Sequence, residues 1–295
     1  MEYEQIYQGN MVEIFRIADY FYFRRANLPV REQCNGAFIV SDTEVFIVDA
    51  PPGGIEMACE VENLFHKPLA GLFLTHGHTD HVNGLAPFLE RELTVFCNYR
   101  LLSYLAPEDK KYRAHFIGVD GTLKLHLAGD VDVELRTLND VAHSKGDMFV
   151  RIPKLGIICT GDCVVEPQTA YFHGADIRSW IYSLRKLADE KGKYVLAGHG
   201  PSLFPYSYIG EFADYLSVIE KCARICFMRF HPELLDRINE ERFANVTTDE
   251  VKVLIEDFFS EGSQDVLFLE GKAGKEDARR TVRMVLWELI REWIR

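Results

Sequence analysis

The sequence predicts an α/β fold followed by a helical C-terminal extension, and three observations support this. Residues 11–205 alternate short β-rich runs with helical stretches, which favours two sheets with helices on their outer faces. After residue 206, apolar residues recur instead at the 3.6-residue period of helices. The densest histidine cluster follows an apolar run directly, as expected for a site at a strand end. We therefore expect a site-bearing domain over residues 1–210 and a helical extension over 211–295.

The early strands are expected to pair as hairpins. Residues 12–17 pair with residues 20–24. Residues 36–40 pair with residues 45–49 around the polar turn at 41–44. The remaining elements of this part are expected as strands at 69–75, 93–97, 123–127, 131–138, 148–152, 155–160 and 194–197, with helices at 56–65 and 177–190.

The C-terminal extension is expected to contain amphipathic helices. Thr247 and Glu250 have the spacing of a capping box before one of them. The last helix should carry a single apolar stripe, formed by Ala278, Val282, Val285, Leu286, Leu289, Ile290 and Trp293. We expect this stripe to pack on the protein's own α/β part. The alternatives are a second subunit, giving a homo-oligomer through the C-terminal helices, or a lid over the site.

Composition and charge exclude several classes of protein. Of the 295 residues, 47% are hydrophobic and 26% charged, which is typical of a globular chain. The net charge of −12 disfavours a nucleic-acid partner, and the basic pairs Arg24-Arg25 and Lys110-Lys111 are expected on the solvated surface. No apolar run approaches the roughly 18 residues of a membrane-spanning helix, so no membrane partner is expected. The acidic first residues are unlike a secretory leader, and we expect a cytoplasmic protein.

The seven cysteines form no CxxC pair and are expected to be reduced. Cys222 and Cys226 lie four residues apart on a predicted helix. We expect both to be buried as small hydrophobic residues, with a shared metal or redox role as the alternative.

Residues 75–81, Thr-His-Gly-His-Thr-Asp-His, carry the strongest functional signal. His76, His78, Asp80 and His81 place three imidazoles and a carboxylate directly after a predicted strand. In an extended loop the first two histidines point the same way, while the other two residues turn with the next helix. The motif can therefore hold one metal ion with the first pair and another with the second.

Three further candidate ligands occupy similar places in the predicted fold. His143, Asp162 and His199 each follow a predicted strand, in loops that contain glycine. Glycine allows backbone and side chains to crowd an ion at angles that larger residues resist. We expect these residues to complete the coordination of the metal ions.

With these motifs in place, residues 11–205 resemble the metallo-β-lactamase fold superfamily, in particular dinuclear hydrolases with a glyoxalase II-like ligand set. The family pattern of H-x-H-x-D-H, a single His, a Gly-Asp and a Gly-His is matched in order. The resemblance implies a four-layer αββα sandwich and two divalent metal ions, expected to be zinc, with iron and manganese as alternatives. It implies that the first ion is held by His76, His78 and His143, the second by Asp80, His81 and His199, and both by a bridging Asp162.

The resemblance also extends to residues around the ligands. Asp49, at a strand end, would orient a ligand, with a simple turn residue as the alternative. Gly84 fits the family pattern as well. Tyr171, His173 and Tyr206 come from suitable loops to protonate a leaving group, but we expect packing roles for them.

The expected function is hydrolysis of a small ester, thioester or lactone by a hydroxide that bridges the two metal ions, with Asp80 or Asp162 as catalytic residues that orient it. No organic cofactor is needed. Persulfide dioxygenases of this fold, which bind one iron through residues matching His76, His143 and Asp162, are one alternative. A ligand-sensing regulator with little turnover is another. Antibiotic hydrolysis is disfavoured because lactamases with a cysteine at the position of Asp162 match poorly, and a nuclease is disfavoured by the net charge.

Overall fold

Two β-sheets form the centre of the protein in the computed structural model, which describes residues 3–10, 12–26, 34–105, 113–138, 140–200, 203–241 and 248–294. The first sheet contains eight strands in chain order, β1 Glu4–Gln8, β2 Val12–Ala18, β3 Phe21–Ala26, β4 Asn35–Val40, β5 Val45–Val48, β6 Leu69–Phe73, β7 Thr94–Asn98 and β8 Phe116–Val119. Strands β1 to β5 pair antiparallel, and β5 to β8 pair parallel.

The second sheet has six strands in the order β14-β13-β12-β11-β10-β9. Their bounds are β9 Thr122–Leu127, β10 Val131–Thr137, β11 Met148–Ile152, β12 Ile157–Gly161, β13 Tyr194–Ala197 and β14 Leu203–Pro205. Only β12 and β13 pair parallel among these described strands. A crossover helix must therefore connect them.

The helices lie mainly in the connections of the parallel strands and in the C-terminal part. They are α1 Gly54–Phe65, α2 Thr79–Val82, α3 Ala86–Glu90, α4 Leu102–Leu105, α5 Ile177–Ala188, α6 Tyr208–Glu241, α7 Thr248–Ser260, α8 Gln264–Ala273 and α9 Lys275–Ile294. Short 3₁₀ turns cover Tyr99–Leu101 and Pro167–Thr169. None of the described helices combines the length and apolar character that crossing a bilayer requires.

Three hydrophobic clusters separate four layers, as the sequence predicted. The cluster between the sheets joins Phe23 and Ile39 of the first sheet to Val133 and Leu135 of the second. Strand β10 alternates buried and partly exposed residues along its whole length, which is the period-2 pattern of a strand with one face in a core. A second cluster packs α1 on the first sheet, and a third packs α5 and the C-terminal helices on the second. The layers are therefore α, β, β and α.

The C-terminal helices share their core with the α/β part. Val282, Val285 and Leu286 of α9 are buried in one cluster with Trp180 of α5 and Phe212 of α6. The apolar stripe of α9 thus packs on the protein's own chain, as expected. The side chain of Trp293 and all of Thr247 lie outside the described residues. The division at residue 210 and a homo-oligomer through these helices stay predictions.

Arg24 differs from the expectation of a solvated basic pair. Its side chain is fully buried and donates hydrogen bonds to the carbonyl oxygens of Cys34 and Val48, each at 3.2 Å. A Cβ at Gly36 would lie 2.1 Å from Nη2 of Arg24, so this glycine makes room for the guanidinium. Backbone carbonyls therefore pair with both Nη atoms of a side chain expected in solvent, while its buried Nε has no hydrogen-bond partner among the described residues. Lys110-Lys111 lies outside the described residues.

Cys222 and Cys226 are buried free thiols in the core of the helical layer, as expected. Burial raises the pKa of each thiol to about 12, so both remain protonated at neutral pH. This is the environment of cysteines that act as small hydrophobic residues.

Candidate metal centre

All seven candidate ligands meet at one edge of the two sheets. Residues 76–81 follow β6 of the first sheet, whereas Asp162 follows β12 and His199 follows β13 of the second. His143 lies in the connection between β10 and β11. These side chains sort into two groups, and within each group the candidate ligand atoms lie within 4.8 Å of one another.

The first group consists of His76, His78, His143 and Asp162. Nδ1 of His78 lies 3.1 Å from Nε2 of His76 and 2.9 Å from Nε2 of His143. Oδ2 of Asp162 lies 3.6 Å from Nε2 of His143 and 3.9 Å from Nε2 of His76. Three imidazole nitrogens and one carboxylate oxygen therefore converge on a single point.

The second group consists of Asp80, His81, Asp162 and His199. Nε2 of His199 lies 3.0 Å from Oδ2 of Asp80 and 3.4 Å from Oδ2 of Asp162. Nε2 of His81 lies 3.1 Å from Oδ1 of Asp162. Asp162 belongs to both groups, which is the position that a bridging carboxylate requires.

The atoms in these groups cannot satisfy one another by hydrogen bonds, whereas divalent cations could bind them. An imidazole nitrogen has one in-plane proton or one lone pair, so Nδ1 of His78 cannot satisfy both histidines that face it. Nε2 of His81 and Oδ1 of Asp162 are buried, face each other and have no hydrogen-bond partner among the residues that the structure describes. Leaving such atoms unpaired costs free energy, and a cation between them would remove that cost.

Burial and charge give the first ligand group the protonation states that metal binding needs. Burial lowers the pKa of His143 to about 3 and that of His76 well below its usual value, so both imidazoles are neutral and able to bind a metal. Burial alone would raise the pKa of Asp162, but His199 and His81 hold it well below the usual value. The shared carboxylate is therefore ionised at neutral pH.

Asp49 and Thr75 hold the start of the metal-binding loop. Oδ1 of Asp49 accepts a hydrogen bond from the backbone N–H of Thr75 at 2.7 Å, and Oδ2 accepts one from the Thr75 hydroxyl at 2.8 Å. Oδ2 also lies 2.8 Å from Nδ1 of His81. Asp49 adopts a left-handed backbone conformation, with φ at 62°, which aspartate tolerates better than most residues. Its contacts are those of an orienting residue rather than of a simple turn.

Two glycines permit the close packing of the loops around Asp162. A Cβ at Gly198 would lie 2.0 Å from Oδ1 of Asp162, and a Cβ at Gly161 would lie 2.3 Å from Oγ1 of Thr75. Gly161 also has a positive φ of 50°, which a larger residue adopts only with strain. The Gly-Asp and Gly-His motifs therefore have a steric basis.

With this geometry in place, comparison with known proteins identifies the family. The family model described as the metallo-beta-lactamase superfamily matches residues 29–199, more than half of the chain. The chain belongs to the metallo-beta-lactamase superfamily.

Solved structures agree with this placement in the metallo-beta-lactamase superfamily. A metallo-beta-lactamase from Pontibacter korlensis superposes with a TM-score of 0.60 at 18% identity, covering 70% of this chain and 99% of that chain. A metallo-beta-lactamase from Erythrobacter litoralis gives 0.58 at 17% identity, over 72% and 98% of the two chains. At such low identity these likenesses concern the fold alone.

One curated relative is similar over a shorter stretch. The probable metallo-hydrolase YybB of Bacillus subtilis (strain 168) is 32% identical over 89 residues. The match covers 28% of this chain and 38% of that protein. The chain therefore aligns with little more than a third of this relative's length.

Several residues that support the metallo-beta-lactamase site were not predicted. Nδ2 of Asn35, in β4, donates to the carbonyl oxygens of Ala197 and Gly200 at 3.1 and 2.9 Å and so fixes the loop of His199 against the first sheet. Asp147, whose pKa burial raises to about 7, accepts hydrogen bonds from the backbone and hydroxyl of Ser144, next to His143. A lone asparagine or a loop aspartate gives no sequence signal for such contacts.

Trp180 connects the helical layer to the loops that carry two of the candidate metal ligands. Its Nε1 donates to the carbonyl oxygen of Cys163 at 2.9 Å, and its ring contacts the His143 ring edge-on with centroids 5.1 Å apart. The side chain is fully buried in α5. It therefore holds the loops of two candidate ligands at once.

The three side chains considered as leaving-group acids occupy different environments. The hydroxyl of Tyr206 donates to the carbonyl oxygen of Leu187 at 3.0 Å within the core, so this residue packs as expected. Tyr171 is exposed, with its ring 5.9 Å from that of His78. His173 is exposed and lines a cavity of about 670 Å³ that also reaches His78. This cavity opens beside the first group of ligands.

Proposed function

We propose that this member of the metallo-beta-lactamase superfamily is a dinuclear metal-dependent hydrolase acting on a small ester, thioester or lactone. The observation that carries the proposal is that two ligand groups share Asp162. One carboxylate can then balance charge on two cations and fix their separation. Zinc is the proposed metal, and iron and manganese also suit ligands of this type.

The proposed chemistry divides between the ions and the chain. When bound, two divalent ions would lower the pKa of water towards neutrality and polarise a substrate carbonyl oxygen. Burial opposes ionisation of Asp80, but a hydrogen bond from His199 lowers its pKa, so its carboxylate stays charged. Asp80 and Asp162 can thus accept hydrogen bonds from the attacking water and orient it.

The shape of the adjoining cavity supports a small-molecule substrate. Its volume of about 670 Å³ lies in the range of small-molecule pockets. Leu101 and Val141 contribute apolar surface, while His78 belongs to the first ligand group. A substrate in this cavity would present its scissile bond to the ligand groups and leave its remainder against the apolar walls.

Metal analysis followed by substrate screening tests the proposal. Untreated protein should contain about two divalent ions per chain, because the seven candidate ligands form two groups. The same preparation should hydrolyse a member of a panel of esters, thioesters and lactones, and removing the metal should abolish this activity. One iron per chain with oxygen uptake on a persulfide would indicate a dioxygenase instead. Two ions without turnover on any substrate would favour a ligand-sensing regulator.

The proposal also covers the location of the protein in the cell and its macromolecular partners. We propose a cytoplasmic location, and the net charge of −12 supports the absence of a nucleic-acid partner. Cell fractionation and gel-shift assays with DNA and RNA test these two points. Light scattering tests the homo-oligomer proposed through the C-terminal helices.

A further inference from the structure

Another cavity, of about 370 Å³, lies between the loop that follows Asp162 and helix α6. The loop contributes Glu166, Pro167 and Gln168 to its wall. The rest of the described lining comes from β14, α6 and α8, through Phe204, Tyr208, Glu211, Phe212, Tyr215 and Lys272. None of these residues also lines the cavity beside His78. The proposed hydrolase chemistry therefore does not use this second cavity.

Four aromatic rings give the second cavity a hydrocarbon surface. The rings of Phe204 and Tyr208 stack with their centroids 4.2 Å apart. The ring of Phe212 lies 6.4 Å from that of Tyr208 and 5.9 Å from that of Tyr215. Both tyrosine hydroxyls donate hydrogen bonds to backbone carbonyl oxygens of the loop, at 3.2 and 3.3 Å. Because the hydroxyl protons are already used, the rings offer a ligand mainly hydrocarbon.

The charged side chains of this lining leave one carboxylate without a counterion. Glu211 and Lys272 lie 3.8 Å apart and balance each other. Glu166 is partly buried, and its Oε2 accepts a hydrogen bond from the neutral amide of Gln168 at 2.7 Å. No basic side chain among the described residues forms an ion pair with Glu166. A bound cation would offset the cost of holding this carboxylate partly out of water.

Arg280 lies near the same loop but does not neutralise Glu166. It donates a hydrogen bond to the carbonyl oxygen of Gln168 at 2.7 Å, pairs with Asp277 at 3.0 Å and is not among the lining residues. Burial and, after it, the charge of Glu166 raise the pKa of Tyr208, so the carboxylate acts on a ring of the same cavity. A carboxylate beside aromatic rings is a combination that suits organic cations.

We propose that the second cavity binds a primary alkylammonium with an aromatic arm, with its charge at Glu166 and its hydrocarbon against the rings of Phe204 and Tyr208. An ammonium can donate charge-assisted hydrogen bonds to the carboxylate, and aromatic rings attract a cation within about 6 Å of their centroids. A bare metal ion would need several oxygen ligands, which the rings do not supply. The inference concerns a second ligand and does not depend on the proposed hydrolase function.

Calorimetry with 2-phenylethylammonium and 2-phenylethanol on the metal-loaded full chain tests the charge preference. The two probes share their hydrocarbon and differ in charge at one end. We expect the ammonium to bind about tenfold more tightly than the alcohol, or better. Glu166→Gln should lower the affinity for the ammonium about tenfold and leave that for the alcohol unchanged. Asp214→Asn removes an exposed carboxylate of α6 outside the cavity and should change neither affinity.

Phe204→Leu tests the rings without changing any charge. It should lower the affinity for the ammonium about threefold, because a cation–π contact is lost. Melting and metal analysis check that each variant is folded. If Glu166→Gln does not fold, an unchanged affinity in Phe204→Leu overturns the site by itself.

Three other results would also show that the cavity is not a cation site. They are absence of ammonium binding, equal affinities for the two probes, and an ammonium affinity that Glu166→Gln and Asp214→Asn change equally. None of these outcomes bears on the hydrolase proposal, which is tested by metal content and turnover.

Discussion

Nδ1 of His81 donates a hydrogen bond to the Asp49 carboxylate at 2.8 Å. A carboxylate can only accept, so Nδ1 of His81 carries a proton, and Nε2 is the nitrogen left to bind a metal ion. Nε2 is the atom that faces Asp162. Asp49 therefore fixes the tautomer and the ring orientation that a metal ligand needs, although it lies outside both ligand groups.

Replacing Asp49 with asparagine should weaken metal binding in the second group. The amide can present its NH₂ to His81 and favour the wrong tautomer, so we expect affinity to fall about 10- to 100-fold. Competition with a chelator measures this change. Asp19→Asn, at an exposed turn, is the matched control and should bind metal normally. Equal affinities in both variants would show that Asp49 has no orienting role.

His78→Ala and His199→Ala should each remove a different ion, because the two histidines belong to different groups. Elemental analysis should give about one ion per chain in each variant. His115→Ala, at a histidine outside every candidate metal-binding group of the described residues, should retain the wild-type content. Two ions in both site variants would mean that the ligand assignment is wrong.

Asp162→Ala should reduce hydrolysis more than either single histidine variant, because among the described residues only this carboxylate lies in both groups. We expect a loss greater than about 100-fold, beyond what is typical of residues behind the ligands. Steady-state kinetics under saturating metal measures the effect. A residual activity equal to that of His199→Ala would argue for a single working ion.

Metal binding in the second group should depend more steeply on pH than in the first. Burial opposes a proton on His199, but Asp162 and Asp80 raise its pKa to about 10, so metal binding must displace this proton at neutral pH. Burial lowers the pKa of His143 to about 3, so that imidazole has no proton to lose. Burial also opposes a proton on His81, but Cys34 and Asp162 raise its pKa well above the usual value, so metal binding must displace this proton as well. With two protons displaced, affinity in the second group should fall roughly a hundredfold for each unit of falling pH, and affinity in the first should change little.

Chelator competition between about pH 6 and 8 measures this difference. The His199→Ala variant reports the first group alone, and His78→Ala reports the second. Identical slopes in the two variants would contradict the assigned protonation states.

Leu286→Ala in α9 should destabilise the fold without removing metal. Leu286 is fully buried in the core of the helical layer, so truncation should cost about 2–5 kcal/mol in the free energy of unfolding. Leu267→Ala, at a side chain 60% exposed, should change it by less than about 0.5 kcal/mol. Chemical denaturation with elemental analysis compares the two variants. A stable Leu286→Ala protein would mean that α9 contributes little to the core.

The sequence predicted the inner strands closely and missed three of the four edge strands of the two described sheets; the fourth, β9, was predicted. The strand expected at residues 93–97 is β7, Thr94–Asn98, because buried apolar residues mark it. Strands β1, β8 and β14 were not predicted, and each lies at the edge of its sheet. Strand β8, Phe116–Val119, buries only its two ends. An edge strand forms through pairing with a distant neighbour, so its own sequence carries little pattern.

The ligand set could be predicted from the sequence because histidines and aspartates cluster directly after predicted strands. The residues behind the ligands were not visible. Asn35 contacts residues more than 160 positions away, and Arg24 is buried only because distant carbonyls satisfy it. The wall of the cavity beside His78 combines Lys145 with Arg291 from the far end of the chain. Contacts of this kind exist only once the layers have assembled.

The division of the ligands between two sheets has a mechanical consequence. His81 follows a strand of the first sheet and His199 a strand of the second, roughly 120 residues later, and both belong to the second ligand group. An ion held in common by both halves acts as a removable cross-link that closes a long loop, much as a disulfide does. The ions would then link the two sheets at the edge that carries the candidate site. Loss of metal should therefore loosen the packing of the sheets at that edge, where substrate enters.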